Sequence, residues 1–217
     1  MGTGTTGNIN FALASGGRIR GTVLTDTTPA VPAPGVSVLF YTASGTQVAN
    51  GFTDSQGNYV TYGGLPGGTY YSRTSNSYGF IDKAYDNQPC TGCNVATTKP
   101  ITVTAGADTT GINYRLVTGG RIAGIVTDRA STPVPINNAR VSVYSSTGAF
   151  VTSATTSNSG RYVTGGGLAA GNYFVGVTAP GGFISALYKT QTSAPHNINC
   201  PSCSPLTGSP VDRKSVV

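Results

Sequence analysis

The sequence has no glutamate and no tryptophan, a single histidine (His196) and a single methionine (Met1). Only 9% of its 217 residues are charged, where an average soluble domain carries about 25%. Exposed helix faces draw on Ala, Glu, Lys and Gln. With no Glu and four Lys the chain has little with which to coat helices, so an all-β fold is expected. No apolar stretch approaches the ~20 residues of a membrane-spanning helix, and residues 1–30 lack the basic-then-apolar pattern of a secretory leader. The net charge of +6 comes from nine Arg and four Lys scattered without a basic run, which is not the footprint of a nucleic-acid binder. One His, seven Asp and no Gly-x-Ser-x-Gly elbow leave nucleophilic and acid–base chemistry without its usual groups. The expectation is a protein that is not an enzyme and carries no cofactor, with His196 an exposed loop residue.

What is abundant is 31 Gly, 32 Thr, 13 Pro and 12 Tyr, and these residues form a repeat. Gly17-Arg18-Ile19 returns 103 residues on as Gly120-Arg121-Ile122, and Gly57-Asn58-Tyr59-Val60-Thr61 returns at the same offset as Gly160-Arg161-Tyr162-Val163-Thr164. Leu65, Tyr70 and Tyr85 match Leu168, Tyr173 and Tyr188, and Gly79-Phe80-Ile81 matches Gly182-Phe183-Ile184. Such a period is too long for a solenoid and fits an independent sandwich. Within each unit apolar residues alternate, as in Ile19, Gly21 and Val23 or Val36, Val38 and Phe40. That is the period-2 pattern of half-buried strands. Turn signals such as Pro32-Ala33-Pro34-Gly35 and Ser55-Gln56-Gly57-Asn58 separate the runs. The first unit is predicted to hold strands near 18–25, 36–42, 47–53, 58–62, 69–74, 80–84, 100–104 and 111–117, and no helix.

These motifs resemble the carboxypeptidase regulatory-like domain, a transthyretin-like (prealbumin-like) sandwich repeated in secreted bacterial proteins. The residues that carry the resemblance are Gly17-Arg18-Ile19-Arg20-Gly21-Thr22-Val23, Gly35-Val36-Ser37-Val38, Thr53-Asp54-Ser55-Gln56-Gly57-Asn58-Tyr59 and Leu65-Pro66-Gly67-Gly68-Thr69-Tyr70. The second unit departs at Ser157-Asn158-Ser159-Gly160-Arg161-Tyr162, where the Asp is lost. The resemblance implies two tandem antiparallel transthyretin/Ig-like β-sandwich domains of a secreted or cell-surface protein, in an accessory, stalk or adhesive role without peptidase activity.

Several residues are candidates for chemistry. Cys90 and Cys93 match Cys200 and Cys203. Asn94 and Ser204 stand where a haem-attachment motif needs His. A four-Cys zinc site would require two separate domains to meet, and a thioredoxin-like pair belongs at a helix start. A local disulfide within each pair remains, pinching the long loop before the strand at 100–104. A calcium site at Asp54 would need more carboxylates than this turn has, so Asp54 and Asn58 are expected to satisfy the turn's own backbone. A Lys–Asn isopeptide bond lacks both a Lys on the first strands and a Glu beside it. Tyr41, Tyr62, Tyr71, Tyr78, Tyr85, Tyr144 and Tyr188 could stack on sugars, which keeps a carbohydrate- or protein-binding accessory module as the alternative function.

The termini do not match the middle. Asn8-Ile9-Asn10-Phe11-Ala12-Leu13 aligns with Gly111-Ile112-Asn113-Tyr114-Arg115-Leu116 when both are counted back from Gly-Arg-Ile. Pro210-Val211 matches Pro100-Ile101, and nothing after it corresponds to 112–116. The expected organisation is a spare copy of the last strand (1–15), a first sandwich (16–118) and a second sandwich lacking its final strand (119–217). Three accounts fit: an excerpt of a longer tandem array, exchange of the strand between copies, and back-folding within one chain. The preferred expectation is a filament or stalk subunit whose Ile9, Phe11 and Leu13 enter the second sandwich of another copy, a head-to-tail homopolymer. For the cysteines, alkylation without reductant should leave all four unmodified by mass; four alkylated thiols would contradict the local disulfides.

Overall fold

The computed structural model describes residues 7–190 and 197–213. The first unit runs β1 (Arg18–Thr25), β2 (Ser37–Tyr41), β3 (Gln47–Phe52), β4 (Asn58–Val60), β5 (Gly68–Ser75), β6 (Lys83–Ala84), β7 (Gln88–Pro89), β8 (Ile101–Val103), β9 (Asp108–Thr109) and β10 (Tyr114–Leu116). The sequence alternation becomes an alternation in burial: Ile19 and Val23 are buried while Arg18 and Arg20 are exposed. One sheet has the order β3-β2-β5-β6-β7 with β8 on the free part of β5; the other is β10-β1-β4 with β9 also on β1. Between them lies a core that includes Ile19, Val38, Phe40, Tyr59, Tyr114 and Leu116. The pairing is antiparallel except along β1, where β9 and β10 both run parallel to it.

The second unit repeats this plan with β11 (Ala123–Ile125), β12 (Arg140–Tyr144), β13 (Phe150–Thr155), β14 (Arg161–Val163), β15 (Gly171–Thr178), β16 (Ala186–Tyr188), β17 (Asn197–Asn199) and β18 (Val211–Arg213). Its larger sheet, β13-β12-β15-β16-β17 with β18 on β15, copies that of the first unit. Even the register shift is repeated, between Phe40 and Tyr41 and between Val143 and Tyr144. The smaller sheet differs: among the described residues it consists of β11 and β14 alone.

The repeated motifs have identifiable duties. Gly57 and Gly160 sit at φ of 77° and 68°, a region open to glycine at no steric cost. A Cβ on either would also collide with the carbonyl of Val23 or Val126. Buried threonines bind backbone that the ladders leave unpaired. Thr61 and Thr164 accept from the amides of Ile19 and Ile122 at 3.2 and 2.9 Å. Thr53 and Thr156 accept from Val36 and Ala139 and donate to the carbonyls of Ala33 and Ile136. Such pairing matters because an unsatisfied buried backbone group costs about 1–3 kcal/mol.

The cysteine pairs occupy equivalent places. Cys90 follows β7 and is buried with Ala84 and Val95, with Tyr41 and Tyr71 packed alongside. The Cα atoms of Cys90 and Cys93 are 4.8 Å apart and those of Cys200 and Cys203 5.5 Å, separations that a disulfide spans. Each pair is followed by a single 3₁₀ turn, Val95–Thr97 or Pro205–Thr207, where the sequence pattern predicted no helix. Asn94 and Ser204 cap these turns, their side chains accepting from Ala96 and Leu206.

Candidate functional site

The difference between the two small sheets defines the site. In the first unit β10 lies parallel to β1, pairing Tyr114 with Val23 and Leu116 with Thr25. It brings Ile112, Tyr114 and Leu116 into the core at 4%, 1% and 1% exposure. The Tyr59 hydroxyl donates to the Ile112 carbonyl at 2.6 Å, and the Tyr114 hydroxyl shares a hydrogen bond with Ser72 Oγ. Asn113 Oδ1 accepts from both the amide and the hydroxyl of Thr22. Gly21 makes this approach sterically feasible, since a Cβ there would overlap the Ile112 carbonyl oxygen.

In the second unit the same place is a groove. A cavity of about 680 Å³ is lined by residues that include Gly124, Val126, Tyr162, Val175, Leu187 and Tyr188. Gly124, Val126 and Tyr162 correspond to Gly21, Val23 and Tyr59, all of which face β10. Among the described residues no strand lies along the open edge of β11. The Tyr162 hydroxyl has no hydrogen-bond partner among them either. Partial burial, then the neighbouring Tyr188, raise its pKa, so at neutral pH it is a hydrogen-bond donor.

The segment that matches β10 is elsewhere and uncovered. Ile9, Phe11 and Leu13 are 66%, 83% and 94% exposed. Their alternation predicted a strand, but residues 7–16 make no ladder with any described residue, and a strand needs a neighbour to supply its hydrogen bonds. The two ends of the segment nevertheless match those of its counterpart. Asn8 has φ of 65° where Gly111 has 78°, and Asn is among the few residues that tolerate this region. Gly16 packs on Gly64 as Gly119 packs on Gly167.

The junction between the units shows how one sandwich leads into the next. As the chain leaves β10, the Ile81 amide donates to the Val117 carbonyl and the Gly119 amide to the Gly79 carbonyl, both at 2.8 Å. Phe80 bridges to Thr118 and packs on the first core. The corresponding Phe183 and Ile184 of the second unit are 47% and 59% exposed.

The other sequence candidates fall apart from this groove. Asp54 Oδ1 accepts from the amides of Gln56 and Asn58, each at 2.9 Å, and the Asn58 bond leads in lowering its pKa. It caps its own turn, as expected. The tyrosines have separate neighbours: Tyr41 and Tyr71 the Cys90 cluster, Tyr62 Phe52, Tyr144 Phe150, Tyr85 the first core and Tyr188 the groove. Tyr78 lies beside Gly35. His196 lies outside the described residues. Sequence reasoning missed Gly124 and Tyr162 as parts of the site; the signal was their place at offset 103 from residues that grip β10.

No family model and no curated protein matches the chain. Among solved structures it is similar to the TIE protein of Bacillus anthracis, with 20% identity over 78% of this chain and 29% of that one and a TM-score of 0.35. It is also similar to a streptococcal ancillary pilin, with 16% identity over 81% of this chain and 59% of that one and a TM-score of 0.36. The pilus backbone RrgB of Streptococcus pneumoniae gives 15% identity, 78% and 56% coverage and a TM-score of 0.25. The chain thus spans less than two thirds of the length of each. At this similarity the comparisons carry no argument about function.

Equivalent glycines should respond differently to substitution. Gly21→Ala should lower the melting temperature of the first unit by several degrees, because β10 is forced off β1. Gly124→Ala meets side-chain atoms of Tyr162 and no β10 backbone, and should lower the free chain's melting temperature by less than Gly21→Ala does. Calorimetry on both variants checks this, and equal losses would show that the groove is not the counterpart of the β10 site.

Proposed function

We propose that this chain is a non-enzymatic, extracellular structural subunit that polymerises head to tail, residues 9–13 of one copy completing the second sandwich of another. The observation that carries this reading is the pairing of an open groove at the position of β10 with an exposed copy of β10 in the same chain. An unpaired strand edge invites an added strand. Placed as β10 is, the segment would run parallel to β11, set Phe11 opposite Val126 and Leu13 opposite Asp128, and offer the Ile9 carbonyl to the Tyr162 hydroxyl. Asn10 would accept from the Ile125 amide as Asn113 does from Thr22.

The junction inside the chain then serves again between copies. Gly16 and Ala14 follow the donor segment as Gly119 and Val117 follow β10, and so would meet Gly182 and Ile184 of the acceptor. Donor and acceptor are different surfaces, and a heterologous contact that does not close generates a filament. Fully burying a side chain such as Phe11 stabilises by roughly 1.5–3 kcal/mol, against an association cost of several kcal/mol, so assembly should follow protein concentration. Two cysteine pairs in a loop-rich sandwich favour an oxidising, extracellular setting.

Light scattering across a wide concentration range tests the reading. The full chain should grow in mass as concentration rises. Phe11→Asp, which would place a charge in an apolar slot, should stay at the mass of one chain with unaltered melting, because Phe11 is exposed in the free subunit. A full chain that remains monomeric throughout would overturn the proposal.

A further inference from the structure

Two strands of one pattern and two grooves of one shape raise a question of pairing, and one residue at each site distinguishes them. In the first unit Tyr114 ends in a hydroxyl that bonds Ser72 Oγ, both fully enclosed. Ser72 lies on β5 opposite Phe40. The equivalent position on β15, opposite Val143, is Val175, which lines the groove and is 7% exposed. The equivalent of Tyr114 in the exposed segment is Phe11. The hydroxyl is absent from both members of the second pair and present in both members of the first.

We infer that Phe11 and Val175 form a matched apolar pair that directs the N-terminal segment to the second-unit groove, while Tyr114 and Ser72 hold β10 in the first. This inference rests on the strand-exchange reading. The physical basis is the penalty for a buried polar group without a partner. Phe11 in the first groove would strand Ser72 Oγ, and Tyr114 in the second would bury its hydroxyl against Val175. Phe11 in the first groove would be no steric clash, only an unmet hydrogen bond; Tyr114 in the second would also press its hydroxyl on the Val175 methyls, which stand where Ser72 has its Oγ. In the first groove the Tyr59 and Tyr114 rings lie with centroids 6.4 Å apart, and Tyr162 offers Phe11 the same neighbour.

The test is a double-mutant cycle on the full chain, reading by light scattering the concentration at which assembly begins. Phe11→Tyr and Val175→Thr, which keeps the shape of valine, should each raise that concentration roughly tenfold. The double variant, with hydroxyls on both sides, should return to within about threefold of the parent. Phe11→Tyr acts through assembly alone, because the side chain is exposed in the free subunit, so its effect remains readable if Val175→Thr lowers the subunit's own melting. A parent chain that never assembles overturns the strand-exchange reading and this inference with it. Normal assembly of the parent with no effect of Phe11→Tyr, or with single effects that simply multiply in the double variant, overturns the address alone.

Discussion

The parallel contact of β10 with β1 is the interaction on which the rest of the molecule turns. It closes the small sheet, supplies Ile112, Tyr114 and Leu116 to the core and continues directly into β11. Where it is made, Tyr59 is buried and bonded; in the second unit, among the described residues, no strand takes its place and Tyr162 is half-buried without a hydrogen-bond partner. Among the described residues the second core is built on Ile122, Val141, Val143, Leu168, Tyr173 and Val175.

The open edge carries no charge or proline on β11 itself; Asp128, Arg129 and Pro133 line the groove just beyond it. Edge strands are blunted by charges, prolines, bulges or covering loops, yet β11 reads Ala123-Gly124-Ile125. The glycine admits a neighbouring backbone, as Gly21 does for Ile112. Ile125 is half exposed at 54%, on a strand with no charge of its own. These features suit an edge that receives a strand. The low overall charge has the same consequence, since little electrostatic repulsion opposes contact between copies.

The alternation of Ile19, Gly21 and Val23 and the 103-residue offset made the sandwich plan legible, because period 2 and turn residues are local properties. The parallel direction of β9 and β10 was not legible. It depends on which strands meet across ~90 residues, and antiparallel and parallel strands of three residues read alike. Two-residue ladders such as Gln88–Pro89 leave no periodic trace. The site was half visible: Ile9, Phe11 and Leu13 stood out only when aligned with Ile112, Tyr114 and Leu116. The meaning of Val175 opposite Ser72 required the cross-sheet contact that the structure supplies, and the cysteine loops could be placed but not their 3₁₀ turns.

The most direct measurement of the account is amide hydrogen exchange on the full chain at two protein concentrations. In dilute solution residues 9–13 and the outer edge of β11 should exchange at the rate of unpaired backbone. When the chain assembles, the amides of Phe11 and Leu13 should become protected together with those of Ile125 and Thr127, to the degree that the same measurement gives for β10. Protection that appears elsewhere while residues 9–13 continue to exchange freely would contradict the account.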